Sequence, residues 1–141
     1  MGKVNVKIGG IGHSDQYDPL ETSSLGDCVC LVAYDKNKKV GSMYHLVTTS
    51  CRSGPAENIT IDAKPLKAAK GKLDKAFKSV HAKGAKVTSY HIKLGKEWTA
   101  NSFLKGEPNK AFTAACKSVF SVAPKLSGTK ATFHPGTGKL T

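Results

Sequence analysis

Long apolar runs are missing from this 141-residue chain. Its longest uncharged, strongly apolar stretch is residues 28–34, far shorter than the ~20 residues that cross a bilayer. The N-terminal segment MGKVNVKIGG lacks the apolar centre of a Sec signal peptide. Since apolar residues recur periodically along most of the chain, disorder is disfavoured as well. We therefore expect one cytoplasmic domain that spans residues 1–141, because a second domain would leave neither half enough surface to bury.

Acidic residues and arginine are both scarce. The chain has 10 Asp and Glu against 22 Lys and Arg, a net charge of +12, and Arg52 is its one arginine. Residues 1–50 are neutral overall, so residues 51–141 carry the whole positive charge, which could attract an acidic partner. Arginine is the usual reader of phosphates and bases, and no aromatic-interleaved basic motif is present. A nucleic-acid partner is therefore disfavoured, and a lysine-rich solvated face is the preferred interpretation.

Metal-binding cysteine motifs are also absent from the sequence. The four cysteines are Cys28, Cys30, Cys51 and Cys116. None of them forms a C-x-x-C pair, and the Cys28-x-Cys30 pair has no second ligand pair at zinc-finger spacing. The chain is long enough to fold without disulfides. We expect no metal and no cofactor, which leaves a reactive thiol as the chemistry to look for.

Hydropathy patterning predicts an α+β fold. Alternating or continuous apolar runs predict strands at residues 4–11, 28–34, 40–47, 86–94 and 130–134. The second and third of these form a hairpin around a polar turn, and residues 13–21 and 97–107 are predicted loops. Apolar residues at i, i+3 and i+4 predict amphipathic helices at 62–83 and 109–122. The expected architecture is a single domain of mixed or antiparallel sheets, sandwich-like, with the two helices packed on them.

The predicted 62–83 helix presents a row of lysines on its outer side. These side chains are Lys64, Lys67, Lys75 and Lys78. The row is interpreted first as a solvated face and second as a docking surface for an acidic protein substrate, since a positive field attracts acidic surfaces.

A thiol and its base are expected on the predicted hairpin. Cys28 follows Gly26 and Asp27, a turn whose free backbone N–H groups could hold an oxyanion. Positions opposite Cys28 on the returning strand fall near residues 45–47, which brings His45 within reach of a thiol–imidazole hydrogen bond. Such a pair can lower the thiol pKa, whereas the carboxylate of Asp27 would disfavour the thiolate.

Two other interpretations of these residues stay open at this point. Cys28 could be a structural cysteine that faces a core histidine by chance. Cys28, Cys30 and His45 could also bind a metal, although their spacing fits no closed four-ligand site. Cys30 is expected to point to the opposite face of the strand from Cys28 and to serve packing.

Two stretches of the sequence resemble the chemoreceptor glutamine deamidases (CheD). The first is TSSLGDCVCLVAYD at residues 22–35, and the second is VGSMYH at residues 40–45. The family pattern has a Thr, then Leu-Gly-Ser-Cys-Val, an apolar strand ending in Asp, and Val-Gly-Gly-Met-x-His. The resemblance continues through IGGIG at 8–12, the end of the long helix at 83–85, and ATFHPGTGK at 131–139. It therefore covers most of the chain.

The resemblance implies both a fold and an activity. The fold would be a two-layer, sheet-rich α+β fold shared with the catalytic domains of the cytotoxic necrotizing factor toxins and the Burkholderia lethal factor. The activity would be protein-glutamine deamidation without a cofactor, in which Cys28 is the nucleophile, His45 the base and Thr22 the residue that orients His45. A glutamine side chain would become glutamate through a thioester. Some family members also hydrolyse glutamate methyl esters.

The sequence departs from the family pattern close to the expected site. Asp27 stands where the family has Ser, and Ser42 stands where it has the second Gly. We infer that the catalytic residues are kept while substrate contacts have changed. The target would be a chemoreceptor-like protein or, for an effector exported without a Sec signal peptide, a host or rival protein. The alternative from another class is an inert basic adaptor or nucleic-acid-binding module on the same fold.

Overall fold

A β-hairpin forms the centre of the molecule. A computed structural model describes residues 2–54, 60–81, 84–98 and 107–141, with side chains left out at 107–109. In the hairpin, β4 (Cys28–Asp35) pairs antiparallel with β5 (Val40–Val47). All eight residues of β4 are buried, as expected of a continuous apolar strand that is covered on both faces. The Asp35 carboxylate accepts the N–H of Asn37 at 2.9 Å and closes the turn, so the predicted hairpin is confirmed.

The hairpin belongs to a five-stranded sheet in the order β2-β5-β4-β8-β9. Its outer members are β2 (Ile11–Ser14), β8 (Ser89–Gly95) and β9 (Leu126–Gly128). Strand β2 pairs antiparallel with β5 and β8 pairs antiparallel with β4, whereas β9 runs parallel to β8. We call this the central sheet.

A second sheet, which we call the covering sheet, packs on one face of the central sheet. It has the order β1-β3-β10-β11, formed by β1 (Val4–Asn5), β3 (Leu20–Ser23), β10 (Lys130–His134) and β11 (Lys139–Leu140). The space between the two sheets is filled by buried side chains from both, including Leu20 and Phe133 from one sheet and Val32 and Met43 from the other. A short pair, β6 (Arg52–Ser53) with β7 (Thr60–Ile61), forms a third, separate sheet.

Two helices cover the other face of the central sheet in the described part of the chain. They are α1 (Lys64–Val80) and α2 (Glu107–Phe120). Leu66, Leu73 and Phe77 of α1 and Phe112 of α2 pack with sheet residues such as Leu31 in one core cluster. The predicted α+β class with sheets and two packed helices is therefore confirmed. Within the described ranges, neither helix has the length and apolar character needed to cross a membrane.

The short strands depart from the sequence prediction. The strand predicted at 4–11 breaks, because a turn closed by the Gly10 N–H on the Lys7 carbonyl at 2.8 Å carries the chain from one sheet to the other. Residues 13–21 were predicted as a loop, yet their two ends lie in β2 and β3. Strands β9 and β11 were missed, since two or three residues are too few to show alternation. The loop predicted at 97–107 falls largely on 99–106, outside the described residues.

Candidate active site

The three predicted catalytic residues come from three strands, and their side chains face the space between the two sheets. There Thr22 is hydrogen-bonded to His45, whereas the hydrogen bond predicted between Cys28 and His45 is not formed, since His45 Nε2 has no partner among the described residues. Thr22 lies on β3 of the covering sheet, while Cys28 and His45 lie on β4 and β5 of the central sheet. Within the hairpin Cys28 pairs with Val47, and His45 pairs with Cys30. His45 is therefore a diagonal neighbour of Cys28 on one face of the sheet, at a separation that long and aromatic side chains can bridge.

Cys30 is on the same face as Cys28, so the expectation of opposite faces was wrong. Side chains two residues apart in a strand point the same way, and both cysteines belong to the core cluster between the sheets. The His45 N–H and C=O bond to Gly10 and Gly9, so the Cys30–His45 pair is the non-hydrogen-bonded kind, in which side chains are closest. Cys30 is fully buried, and burial raises its thiol pKa to about 12. Cys28, at the beginning of the strand, is the better placed of the two to meet a substrate.

The Thr22 hydroxyl fixes both the orientation and the tautomer of His45. Thr22 Oγ1 lies 2.7 Å from the Val6 carbonyl oxygen and 2.6 Å from His45 Nδ1. Because a carbonyl only accepts, the single hydroxyl hydrogen goes to Val6, and Thr22 Oγ1 accepts the N–H of Nδ1. The proton of neutral His45 therefore sits on Nδ1, and its Nε2 carries a lone pair. This Nε2 is buried and has no hydrogen-bond partner among the described residues.

The two titrating groups are both held in their neutral forms. Burial lowers the pKa of His45, so its imidazole is neutral near pH 7. The pKa of Cys28 is raised, first by burial and then by the charge and hydrogen bond of Asp27, against a smaller opposing effect of the Thr48 N–H. The effect of Asp27 has the predicted direction, whereas the lowered thiol pKa expected from the cysteine–histidine pair was wrong. Near pH 7 these two side chains are therefore a thiol and a neutral imidazole rather than an ion pair.

Asp27 connects Cys28 to Arg52 and Trp98, which were not predicted to belong to the site. Its Oδ1 lies 3.9 Å from Cys28 Sγ, and its Oδ2 accepts Arg52 Nη2 at 3.0 Å. Its main-chain oxygen accepts Trp98 Nε1 at 3.0 Å, and the same indole N–H lies 3.1 Å from Thr48 Oγ1. Arg52 and Trp98 are the one arginine and the one tryptophan of the chain, and that rarity was the only sequence signal for them.

The turn before Cys28 is anchored to the end of β8. The carbonyl oxygens of Leu25 and Gly26 accept the N–H groups of Lys96 at 3.1 Å and Glu97 at 2.7 Å. A Cβ atom added to Gly95 would lie 1.7 Å from the Leu25 carbonyl oxygen, so only glycine fits there. The backbone of Gly26 and Asp27 is thus fixed next to Cys28, and its role as an oxyanion site stays a prediction.

The predicted docking lysines lie away from this site. Lys64, Lys67, Lys75 and Lys78 are exposed on α1, which packs on the face of the central sheet opposite to Thr22 and His45. Their docking role stays a prediction. On the near side, a groove of about 470 Å³ runs beside Thr22, lined by residues 5–8 and 21–24.

Ser42, the second departure from the family pattern, belongs to a separate polar cluster. Its Oγ lies 2.6 Å from His13 Nδ1 and 3.1 Å from His81 Nε2. Both rings are separate from Thr22, Cys28 and His45, which leaves His45 as the base candidate for Cys28. Across the described ranges, no three His, Cys, Asp or Glu side chains come together as a set of metal ligands.

Comparison with known proteins places a likeness on part of the chain. No family model matches. Over 55 residues the chain is 34% identical to the probable chemoreceptor glutamine deamidase CheD of Methanococcus vannielii and 36% identical to that of Methanococcus maripaludis strain C6. The strain S2 protein of the latter species is 34% identical over the same length. The match covers 39% of this chain and 35% of each relative, so the chain is similar to these probable deamidases over about a third of their length.

Proposed function

We propose that the protein is a protein-glutamine deamidase that works through a cysteine thioester. The observation that carries the proposal is His45 Nε2, which is buried, unpartnered among the described residues and unprotonated because Thr22 holds the proton on Nδ1. A lone pair of this kind, on the face of the sheet that carries Cys28, is what a general base for a thiol requires. The partial likeness to probable CheD deamidases supports the same chemistry.

The proposed reaction begins from the neutral thiol. His45 Nε2 takes the Cys28 proton as the sulfur attacks the side-chain carbon of glutamine, and a tetrahedral oxyanion forms. His45 then returns the proton to the amide nitrogen and the C–N bond breaks. Ammonia departs, and the acyl group remains bound to Cys28 as a thioester. His45 next takes a proton from water, whose oxygen attacks the thioester carbon. The C–S bond then breaks, and His45 returns its proton to the sulfur, which restores the thiol. The new carboxylic acid is released and ionises to glutamate.

Thr22 supports this cycle at the step where the imidazole becomes charged. When His45 holds two protons, Thr22 Oγ1 still accepts the Nδ1–H, so the hydrogen bond persists through the reaction. Charge on the donor strengthens such a hydrogen bond. The backbone N–H groups near Gly26 and Asp27 are the proposed donors to the oxyanion, since their turn is held in place by the end of β8.

The target is proposed to be a protein with an accessible glutamine. A chemoreceptor-like protein is the target that the relatives' names suggest, and a host or rival protein is the target for an exported effector. The groove beside Thr22 is a place where a target segment could lie close to the triad.

Mass spectrometry of candidate target proteins tests the activity. We expect a Gln-to-Glu mass change and ammonia release with the wild type, and neither with Cys28→Ser, because a hydroxyl is far less acidic than a thiol. The matched control is Cys30→Ala, which changes the neighbouring buried cysteine and should keep the activity. Wild-type protein that releases no ammonia would favour the inert adaptor, and an active Cys28→Ser with an inactive, folded Cys30→Ala would reverse the roles of the two thiols.

A further inference from the structure

The two oxygens of the Asp27 carboxylate have different neighbours, Arg52 and Cys28. Its Oδ2 accepts Arg52 Nη2 at 3.0 Å, which leaves Oδ1 towards Cys28 Sγ at 3.9 Å. The Asp27 main chain is also held, by the indole N–H of Trp98 at 3.0 Å. The Asp27 side chain is 31% exposed, so a substrate can reach it. A carboxylate in this place raises the pKa of the Cys28 thiol and so disfavours the thiolate. The mechanism proposed above gives this carboxylate no role.

We infer that Asp27 makes the site selective for the carboxamide of glutamine over the methyl ester of glutamate, by accepting an N–H of the substrate amide. The inference rests on the proposed deamidase function and names the substrate class of the same site. Asp27 is a specificity residue in this assignment, whereas Cys28 and His45 carry out the bond changes.

The distances allow this contact during attack on the amide. A carbon in position for attack lies about 3–3.5 Å from the sulfur, and the amide nitrogen is bonded to that carbon at about 1.3 Å. With Oδ1 3.9 Å from the sulfur, the nitrogen can lie about 2.9 Å from Oδ1, the usual length of an N–H···O bond. Binding a substrate in this way replaces the long contact between the thiol and Oδ1. The thiol hydrogen is then free to turn towards His45 Nε2.

A methyl ester cannot make the same contact. Its leaving oxygen carries lone pairs and no hydrogen, so it would face a carboxylate oxygen with nothing to donate. A site that is built to hydrogen-bond an N–H rejects an analogue without one, because its own polar group is left unpaired. In the amide reaction ammonia leaves and in the ester reaction methanol leaves, and both give the same thioester on Cys28. The discrimination therefore arises before the thioester forms.

The contact with Arg52 indicates how the amide side chain would be oriented in an Asp27→Asn variant. A guanidinium has only donors, so in Asp27→Asn the side-chain oxygen of the new amide would turn to Arg52. Its NH₂ group would then face Cys28, where it can donate to an ester oxygen but cannot accept from a carboxamide. The substitution also removes a negative charge that raises the thiol pKa. That second effect should speed both reactions alike, so it cancels in the ratio of the two rates.

The test uses two synthetic peptides that differ only in one side chain, glutamine in one and glutamate γ-methyl ester in the other. Ammonia and methanol release give kcat/KM for each peptide with wild type, Asp27→Asn and the control Asp15→Asn. Asp15 is an exposed carboxylate that caps the Tyr17 N–H in the loop between β2 and β3. We expect the amide-to-ester ratio to fall by about 10- to 100-fold in Asp27→Asn, the usual cost of losing a hydrogen bond to a charged group. The ratio should be unchanged in Asp15→Asn.

The outcomes separate this assignment from the function on which it rests. A ratio that is the same in wild type and Asp27→Asn, with both peptides hydrolysed, overturns the role of Asp27 and leaves the deamidase standing. An equal fall in Asp15→Asn also overturns it, because the effect would then belong to net charge. A wild type inert on both peptides overturns the two proposals together. The absolute ratio decides nothing, since esters are the more reactive compounds in water.

Discussion

At the scale of single residues, the candidate site depends on the sharing of one hydrogen atom. Thr22 has a single hydroxyl hydrogen and two neighbours, the Val6 carbonyl and His45 Nδ1. Because the carbonyl takes that hydrogen, the imidazole must supply the hydrogen of the second bond. The position of a proton on His45 is thus decided by a backbone oxygen that never touches the thiol. In the proposed mechanism Thr22 is for this reason a positioning residue rather than a catalytic one.

Substitution of Thr22 should cost less activity than substitution of His45. Thr22→Val leaves the base in the site without its acceptor, and we expect kcat on a glutamine peptide to fall about 10-fold. His45→Ala should lower it by about 10²- to 10⁴-fold, the usual contribution of a general base. Thr22→Ser keeps an acceptor and should restore most of the rate, which a purely structural role for the methyl group would not allow. If Thr22→Val and His45→Ala both equal the wild type, His45 is not the general base and Thr22 does not position one.

The site could be predicted from sequence only where its residues lie in one local pattern. Cys28 and His45 are joined by a hairpin whose turn is visible in the sequence, so their nearness followed from strand pairing. The exact register of the two strands could not be predicted in this way, and His45 stands opposite Cys30 rather than Cys28. Arg52 and Trp98 reach Asp27 from positions 25 and 71 residues away. No periodicity links such distant segments, and it takes the folded chain to bring them together.

At the scale of secondary-structure elements, the end of β8 supports the turn that precedes Cys28. The Leu25 and Gly26 carbonyls bond to backbone N–H groups just after Gly95, and these contacts require the two backbones to approach closely. The long strands and both helices were predictable, because each has enough residues to show its period. The turn before Cys28 and its contact with the end of β8 were not predictable, since a close approach of two backbones does not change the hydropathy pattern.

Two glycine-to-alanine substitutions distinguish a glycine needed for close approach from one that is not. Gly95→Ala would put a Cβ 1.7 Å from the Leu25 carbonyl oxygen, and we expect a loss of at least about 2 kcal/mol in the free energy of unfolding. Gly71 lies within α1 and has nothing within 4 Å of an added Cβ. Gly71→Ala should therefore stabilise the protein by about 1 kcal/mol through helix propensity. Denaturant unfolding measures both, and equal stabilities for the two variants would contradict the close contact at Gly95.

At the scale of the whole molecule, the central sheet separates two different surfaces. One face carries Cys28 and His45 and is packed against Thr22 and the rest of the covering sheet, and the other carries the helices. The exposed lysines of α1 are therefore on the far side of the sheet from Cys28 and His45. A field from exposed charges decays over about 8–10 Å at physiological salt, so these lysines have little influence at Cys28 itself. This arrangement favours a solvated face over a docking surface for the substrate.

Neutralising that face should accordingly leave catalysis intact. In a Lys64/Lys67/Lys75/Lys78 to Gln variant we expect kcat and KM to equal the wild type, both on a glutamine peptide and on an acidic protein substrate at physiological salt. The rate on the protein substrate should also stay nearly constant as salt rises. Salt screening slows capture only where electrostatic attraction to the substrate contributes to it. The contrary result would be a higher KM for the acidic protein alone, with kcat unchanged and a wild-type rate that falls steeply with salt. That pattern would mean that α1 captures an acidic target from behind the sheet, and the protein would then bind its substrate across two faces.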